Sequence, residues 1–229
     1  MHVVDGFRQR GEAMTRLETF TDAAFAFAVT MLVVGGGDNI PNNFAEMTAA
    51  MKQVPAFAAS FANILLFWYA HHVWSRRFGL DDVGAALWSF ALVFVVLVYI
   101  YPLKALYSGA FDTFSGGYLE SYFTFTSIED LRTMFVIFGS AYMALSGVIV
   151  MLNRHALAKS EELDLSELEL YETRSTLQHW VINMIVPALS IGMAIWLPDG
   201  WLALAGFVYS IFGVVLPWHS IRRNRGRPA

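Results

Sequence analysis

A membrane-spanning helix needs about 20 mostly apolar residues in an unbroken row, and this chain supplies such rows repeatedly. Val83 to Leu103 carries no charge, and neither does Thr133 to Asn153, between Arg132 and Arg154. Ser175 to Pro198 holds only His179, Gly200 to Ile221 only His219, and Gln53 to Ser75 only the adjacent His71 and His72. A first run, Ala23 to Gly37, is uncharged too, although Arg16, Glu18 and Asp22 lie within two turns before it. The rows are continuous and do not alternate, so they read as helices and not as barrel strands. They predict an all-α integral membrane protein, a single domain over residues 1–229 with six transmembrane helices at about 16–36, 52–75, 83–104, 131–153, 177–197 and 200–219.

Composition removes other classes. The chain is 56% hydrophobic and only 15% charged, against about 25% charged in soluble domains. Its formal net charge of -4 lacks the basic excess of a nucleic-acid binder. With no Cys there are no disulfides, thiolate metal sites or Cys nucleophiles. The first apolar run begins late and has an acid at its head, so it is expected to be a retained helix and not a cleaved leader.

Basic residues set orientation. Arg8, Arg10, Arg16, Arg76, Arg77, Arg154, Lys159, Arg174, Arg222, Arg223, Arg225 and Arg227 fall on the side of the N-terminus; only Lys52, Lys104 and Arg132 fall on the other. Both termini are therefore expected in the cytoplasm, with the chain in the cell membrane. Trp68, Trp74, Trp180 and Trp218 are expected near the inner boundary, and Tyr99, Tyr101, Trp196 and Trp201 near the outer one. Two loops are long. Ser108–Asp130 either caps an outer vestibule or packs on the helix ends. Arg154–Arg174 holds Ser166 and Glu169 at capping-box spacing, which predicts a cytoplasmic helix extending the fifth span.

Asp22 is the most informative side chain. A carboxylate at the head of a spanning helix is costly unless it faces water or a partner. Glu18 and Asp22 are spaced i, i+4, so they share a face and repel. A proton, an arginine or a histidine must offset that repulsion. The antiparallel topology brings His71 and His72 to a similar depth, so Arg16, Thr21, Asp22 and one His form a plausible polar cluster. The alternative is an Asp serving only as a helix cap. Further along, Ala24 and Ala28 favour close helix approach. Phe27, Thr30, Met31 and Val34 make an apolar stripe with a single hydroxyl, fit either for packing or for lining a pore.

The stretch Arg16-xxx-Phe20-Thr21-Asp22, followed by AFAFAVTMLVV, resembles the first-helix signature of the transmembrane protein 175 family of potassium channels. Trp68-Tyr-Ala-His71-His72, then Asp81 or Asp82, is similar to that family's second-helix stretch and the Asp before its third helix. Tyr101-Pro102-Leu103 fits the Pro near the end of helix three. The likeness covers about residues 16–104. It implies a homotetramer that passes potassium ions, with protons as a further permeant, through a pore lined by the first helices. It needs no cofactor, metal or enzyme activity. Phe27, Met31 and Val34 would form the apolar constriction and Thr30 the selectivity hydroxyl. Arg16, Phe20, Thr21, Asp22, Trp68 and His71 would form a structural network. Thr21 stands where the family has Ser, Phe27 where it has a smaller aliphatic, and Gly35-Gly36-Gly37 ends the helix where the family continues.

Two other readings remain at this stage. A secondary transporter or proton pathway would use Asp22 and His71 as relay groups, but no internal repeat is present. A membrane oxidoreductase would hold haem between His71 or His72 and His179. A hydrolase is disfavoured, since no nucleophile elbow or HExxH motif occurs.

Overall fold

The structure, a computed structural model, describes residues 3–4, 6–34 and 41–226, excluding the side chains of residues 34, 224 and 225. The side chain of Val34, Gly35–Gly37, and Arg225 and Arg227 as charge carriers lie outside the described residues. A two-residue pair of strands, β1 (Val3–Val4) and β2 (Phe7–Arg8), precedes α1 (Arg16–Val34). The helices α2 (Phe44–Lys52), α3 (Val54–Phe78), α4 (Val83–Phe114), α5 (Ile128–Ala158) and α6 (Glu167–Trp196) follow. The last crossing is segmented: a 3-10 turn at Asp199–Trp201, α7 (Ala203–Phe207), a 3-10 turn at Val208–Ile211, and α8 (Phe212–Arg225).

The helix ends follow from local chemistry. Asp82 caps α4 by accepting from the Ala85 amide at 2.8 Å. Ser127 with Asp130 and Ser166 with Glu169 form reciprocal capping boxes that start α5 and α6. Helix α3 ends at Gly79, whose φ of +60° suits glycine. A Cβ there would also lie 2.9 Å from the Arg10 carbonyl carbon, so this turn and the N-terminal segment pack too closely for a side chain.

Among the described residues, five helical stretches are long and apolar enough to cross a membrane: Val54–Phe78, Val83–Phe114, Ile128–Ala158, Glu167–Trp196 and Asp199–Arg223. Helix α1 is not among them; it carries Arg16, Glu18 and Asp22 in its first two turns. Contacts fix which helix ends lie together. At one end Arg8 and Arg10 meet Glu169, the Arg76 guanidinium donates to the Gly11 carbonyl, and Tyr171 donates to the Arg223 carbonyl. Both ends of the chain are thus at the same end of the bundle. At the opposite end Lys52 pairs with Glu120, and Arg132 with Asp199.

Three expectations need correction. Helix α4 does not stop near residue 104 but runs to Phe114, because the charge on Lys104 is absorbed inside the protein. The stretch 108–130 is therefore half helix, and its remainder folds back on the helix ends through Ser108–Ser121 and Lys52–Glu120. The aromatic belt is also thinner than expected. Trp74, Trp180 and Tyr99 are buried, with Trp74 donating to the Leu152 carbonyl and the Tyr99 hydroxyl to Asn63. Tyr99 and Trp180 join Phe67, Phe138 and Tyr142 in an aromatic core between α3, α4, α5 and α6, with ring centroids about 5–6.5 Å apart, while the Trp74 ring packs on Phe78 at 6.2 Å.

Candidate functional site

Helix α1 lies against α3 and α4, and its two faces differ. Leu17, Thr21, Phe25, Ala28 and Leu32 are buried against the bundle. Arg16, Thr19, Phe20, Ala23, Ala26, Phe27, Thr30 and Val33 are exposed along the other face. Phe25 is 3% exposed and Phe27, two positions on, 56%. Helical geometry alone produces this split: a step of two residues turns the side chain by about 200°.

The acids at the head of α1 are answered by one stripe of α3. Trp68, His72 and Arg76 recur every four residues and so share a face. The Trp68 indole donates to Asp22 Oδ1 at 2.9 Å. Its ring stacks on His72 at 5.3 Å between centroids. Glu18, buried to 2% exposure, has its Oε1 at 3.7 Å from both His72 Nδ1 and Arg76 Nε. These separations exceed a hydrogen bond, and Oε1 accepts none. Two carboxylates spaced i, i+4 on α1 thus meet an antiparallel stripe of the same spacing on α3. The repulsion expected between Glu18 and Asp22 is offset by giving each its own partner.

The other residues of the expected network are placed separately. His71 is buried, and its Nε2 lies 2.9 Å from Ser89 Oγ on α4. The Thr21 hydroxyl donates to the Leu17 carbonyl. Phe20 meets Phe90 edge-on at 5.4 Å. Arg16 is exposed. Sequence reasoning picked Asp22 and Trp68, which touch, and offered His72 as one of two histidines to offset the acids, but passed over Arg76. The four-residue step from Trp68 was the signal that could have found it. The histidines considered for haem sit apart in function: His71 is bonded to Ser89, and the His179 ring lies 6.0 Å from that of His219.

Along the stripe, Phe27 and Thr30 share the exposed face, while Met31 packs partly against the core. The Thr30 hydroxyl donates to the Ala26 carbonyl at 3.0 Å. Its proton is engaged there, so the oxygen presents only lone pairs outward. At the far end of α1, Lys104 Nζ donates to the Leu32 carbonyl at 2.6 Å and lies 5.1 Å from the centre of the Tyr122 ring. This amine reaches one of the carbonyls that a helix C-terminus leaves unpaired. Helix α1 is therefore held at both ends and open along its outer face. A groove of about 410 Å³ between α1 and α3, lined by Phe25, Val29, Phe61 and Leu65, has Asp22 and Trp68 in its wall.

Behind the site, Asp82 Oδ1 lies 2.9 Å from His155 Nε2 and Oδ2 lies 2.8 Å from Lys159 Nζ. Partial burial pushes the Asp82 carboxyl up. Lys159, the Ala85 amide and His155 outweigh it and hold the group well below the usual carboxylate range.

The family model for the endosomal/lysosomal potassium channel TMEM175 matches residues 16–102, the segment holding α1, α3 and most of α4. A protein of Marivirga tractuosa named "Potassium channel" is 34% identical over 216 residues, spanning 90% of this chain and 86% of that protein. Among solved structures, a variant of the potassium channel MtTMEM175, in complex with a nanobody–MBP fusion protein, is similar with a TM-score of 0.85. It is 30% identical and covers 98% of this chain and 100% of its own. A protein from Chamaesiphon minutus, described as a homologue of the lysosomal potassium-selective channel TMEM175, shares the fold with a TM-score of 0.57. It is 20% identical over 91% of this chain and 97% of that one.

Proposed function

This chain belongs to the TMEM175 family, whose relatives are named potassium channels, and from that premise we propose that it conducts potassium through a pore lined by α1 from four copies. One observation carries the reading. Helix α1 presents Ala23, Ala26, Phe27 and Thr30 away from its own bundle, while the opposite face and both ends are anchored. Small residues let helices approach closely, and four such faces around an axis would leave Phe27 as the narrowest ring. An apolar constriction of this kind gates by dewetting. Potassium sheds water more readily than sodium, so a narrow and weakly polar path favours it, with the Thr30 oxygen as a local acceptor.

Parity supports six crossings. Five apolar helices alone would put the chain's ends on opposite sides, yet Arg8 and Arg223 meet neighbouring turns of α6. Helix α1 would supply the sixth crossing, its two acids partnered on α3. The basic residues gathered at that end support a cytoplasmic location for both termini by the positive-inside rule. The network of Asp22, Trp68, Glu18, His72 and Arg76 fixes α1 and does not carry ions.

The test is potassium efflux from liposomes holding purified protein. Efflux that does not saturate with gradient and needs no counter-ion is expected. Saturating, counter-ion-dependent transport would favour a carrier instead, and no potassium flux would sink the reading.

A further inference from the structure

Helices α6 and α8 flank a half-open pocket of about 370 Å³ at the end of the bundle where the first and last described residues lie. Arg174 and Gln178 come from α6, and His219, Arg222 and Arg223 from α8. Three arginines from two helices therefore line one pocket. Arg223 is 3.7 Å from Glu172, which offsets one charge. Among the described residues, neither Arg174 nor Arg222 has an acidic side chain within ion-pairing distance. Arg222 instead lies 5.6 Å from the centre of the Trp218 ring, which limits its freedom before any ligand arrives. The two walls are fixed to each other by the Tyr171 hydroxyl, which donates to the Arg223 carbonyl at 2.9 Å.

We infer that this pocket binds a phosphate group, presented by an anionic lipid headgroup. Guanidinium forks match phosphate oxygens in pairs, and the cavity falls in the range of small-ligand sites. Its position selects the lipid over a dissolved anion. The pocket sits where the last apolar helix leaves the membrane, and Trp218 beside it is 58% exposed, as an interfacial anchor would be. Basic pockets between spanning helices on the cytoplasmic side are suited to such headgroups. Arginines acting only as topology anchors need no shared cavity and no restraint on an aromatic ring. The inference rests on the membrane placement proposed above, but not on ion conduction; failure of the flux assay leaves it standing.

The test uses the full chain in nanodiscs of phosphatidylcholine with or without phosphatidylglycerol. Thermal unfolding reads the stabilisation, and native mass spectrometry of the detergent-extracted protein counts retained lipid. Phosphatidylglycerol is expected to raise the unfolding midpoint and to remain bound. In the double variant Arg174→Ala/Arg222→Ala, its affinity should fall by about tenfold or more, the order expected for lost charge-assisted bonds. Arg154→Ala, an exposed arginine at the same end but outside the pocket, should leave it unchanged. The milder pair Arg174→Gln/Arg222→Gln serves if the alanine variant does not fold. Equal loss in Arg154→Ala, or no loss in either double variant, would overturn the pocket. Stabilisation by inorganic phosphate in pure phosphatidylcholine, with none from phosphatidylglycerol, would overturn the lipid as its source.

Discussion

Two phenylalanines two positions apart, Phe25 and Phe27, allow a sharp comparison on α1. Phe25 is buried in the protomer at 3% exposure and Phe27 is 56% exposed. In water-soluble cores, Phe→Ala costs about 3–5 kcal/mol, of which about 1.5–3 is the transfer of the side chain out of water. Lipid tails are themselves apolar, so most of the transfer part disappears inside a membrane and the packing part remains. Phe25→Ala should therefore destabilise the protein by about 2 kcal/mol. Phe27→Ala removes a ring that packs little within its own protomer, and should cost under about 0.5 kcal/mol. If Phe27 forms the constriction, removing four rings at one level widens it, and potassium flux should rise by about tenfold or more, equivalent to a barrier lower by about 1.4 kcal/mol. Thermal unfolding and liposome flux, measured on the same preparations, read both quantities. A Phe27→Ala protein that is destabilised as much as Phe25→Ala, with unchanged flux, would refute the reasoning. It would place the ring in a packed contact and not in the ion path.

Four further outcomes follow from the anchors of α1 and its surroundings. Trp68→Phe leaves the Asp22 carboxylate without its indole donor and should cost about 1.5 kcal/mol, the low end for a charge-assisted bond because Asp22 is only half-buried; Asp22→Asn should likewise lower assembly on size exclusion, whereas a well-assembled Asp22→Asn with altered selectivity would give Asp22 a direct pore role. Lys104→Met removes the donor to the Leu32 carbonyl while keeping length and apolar stem, so hydrogen exchange should quicken in the last turn of α1 and not in α5. Asp82 has its folded pKa depressed, so its pairing with Lys159 and His155 stabilises the protein above the unfolded carboxylate value, about pH 4. That stabilisation should be intact from pH 7 to 5 and fall away only as the pH drops below about 4, and Asp82→Asn should flatten this acid limb in a pH series of unfolding midpoints.

The spans were legible because charge is excluded from long rows, and the helix starts because capping residues sit at fixed offsets. Ser166 and Glu169 predicted the start of α6 correctly. The end of α4 was not legible, since Lys104 looks like a boundary charge and its hydrogen bond to a carbonyl of α1 is a tertiary event. The same holds for the aromatic residues: Trp74, Trp180 and Tyr99 have the composition of an interface belt, and only helix rotation shows that they face inward. At the site, Asp22 stood out because an acid in an apolar helix demands a partner. Its partner Trp68 came from the family resemblance. His72 and Arg76 follow from a periodicity on a second helix, and that periodicity has meaning only once α1 and α3 are known to be adjacent and antiparallel. The strand pair near the N-terminus and its docking through Arg8 and Arg10 on Glu169 left no pattern in the local sequence, because two-residue strands are shorter than any usable period.

The central claim is that four α1 helices line a potassium path. Its most direct measurement is the reversal potential of the reconstituted protein in a planar bilayer with potassium on one side and sodium on the other. The account predicts current that reverses well toward the potassium equilibrium potential, with Phe27→Ala raising the current. A reversal potential at zero or toward sodium, or no current from either protein, would contradict it.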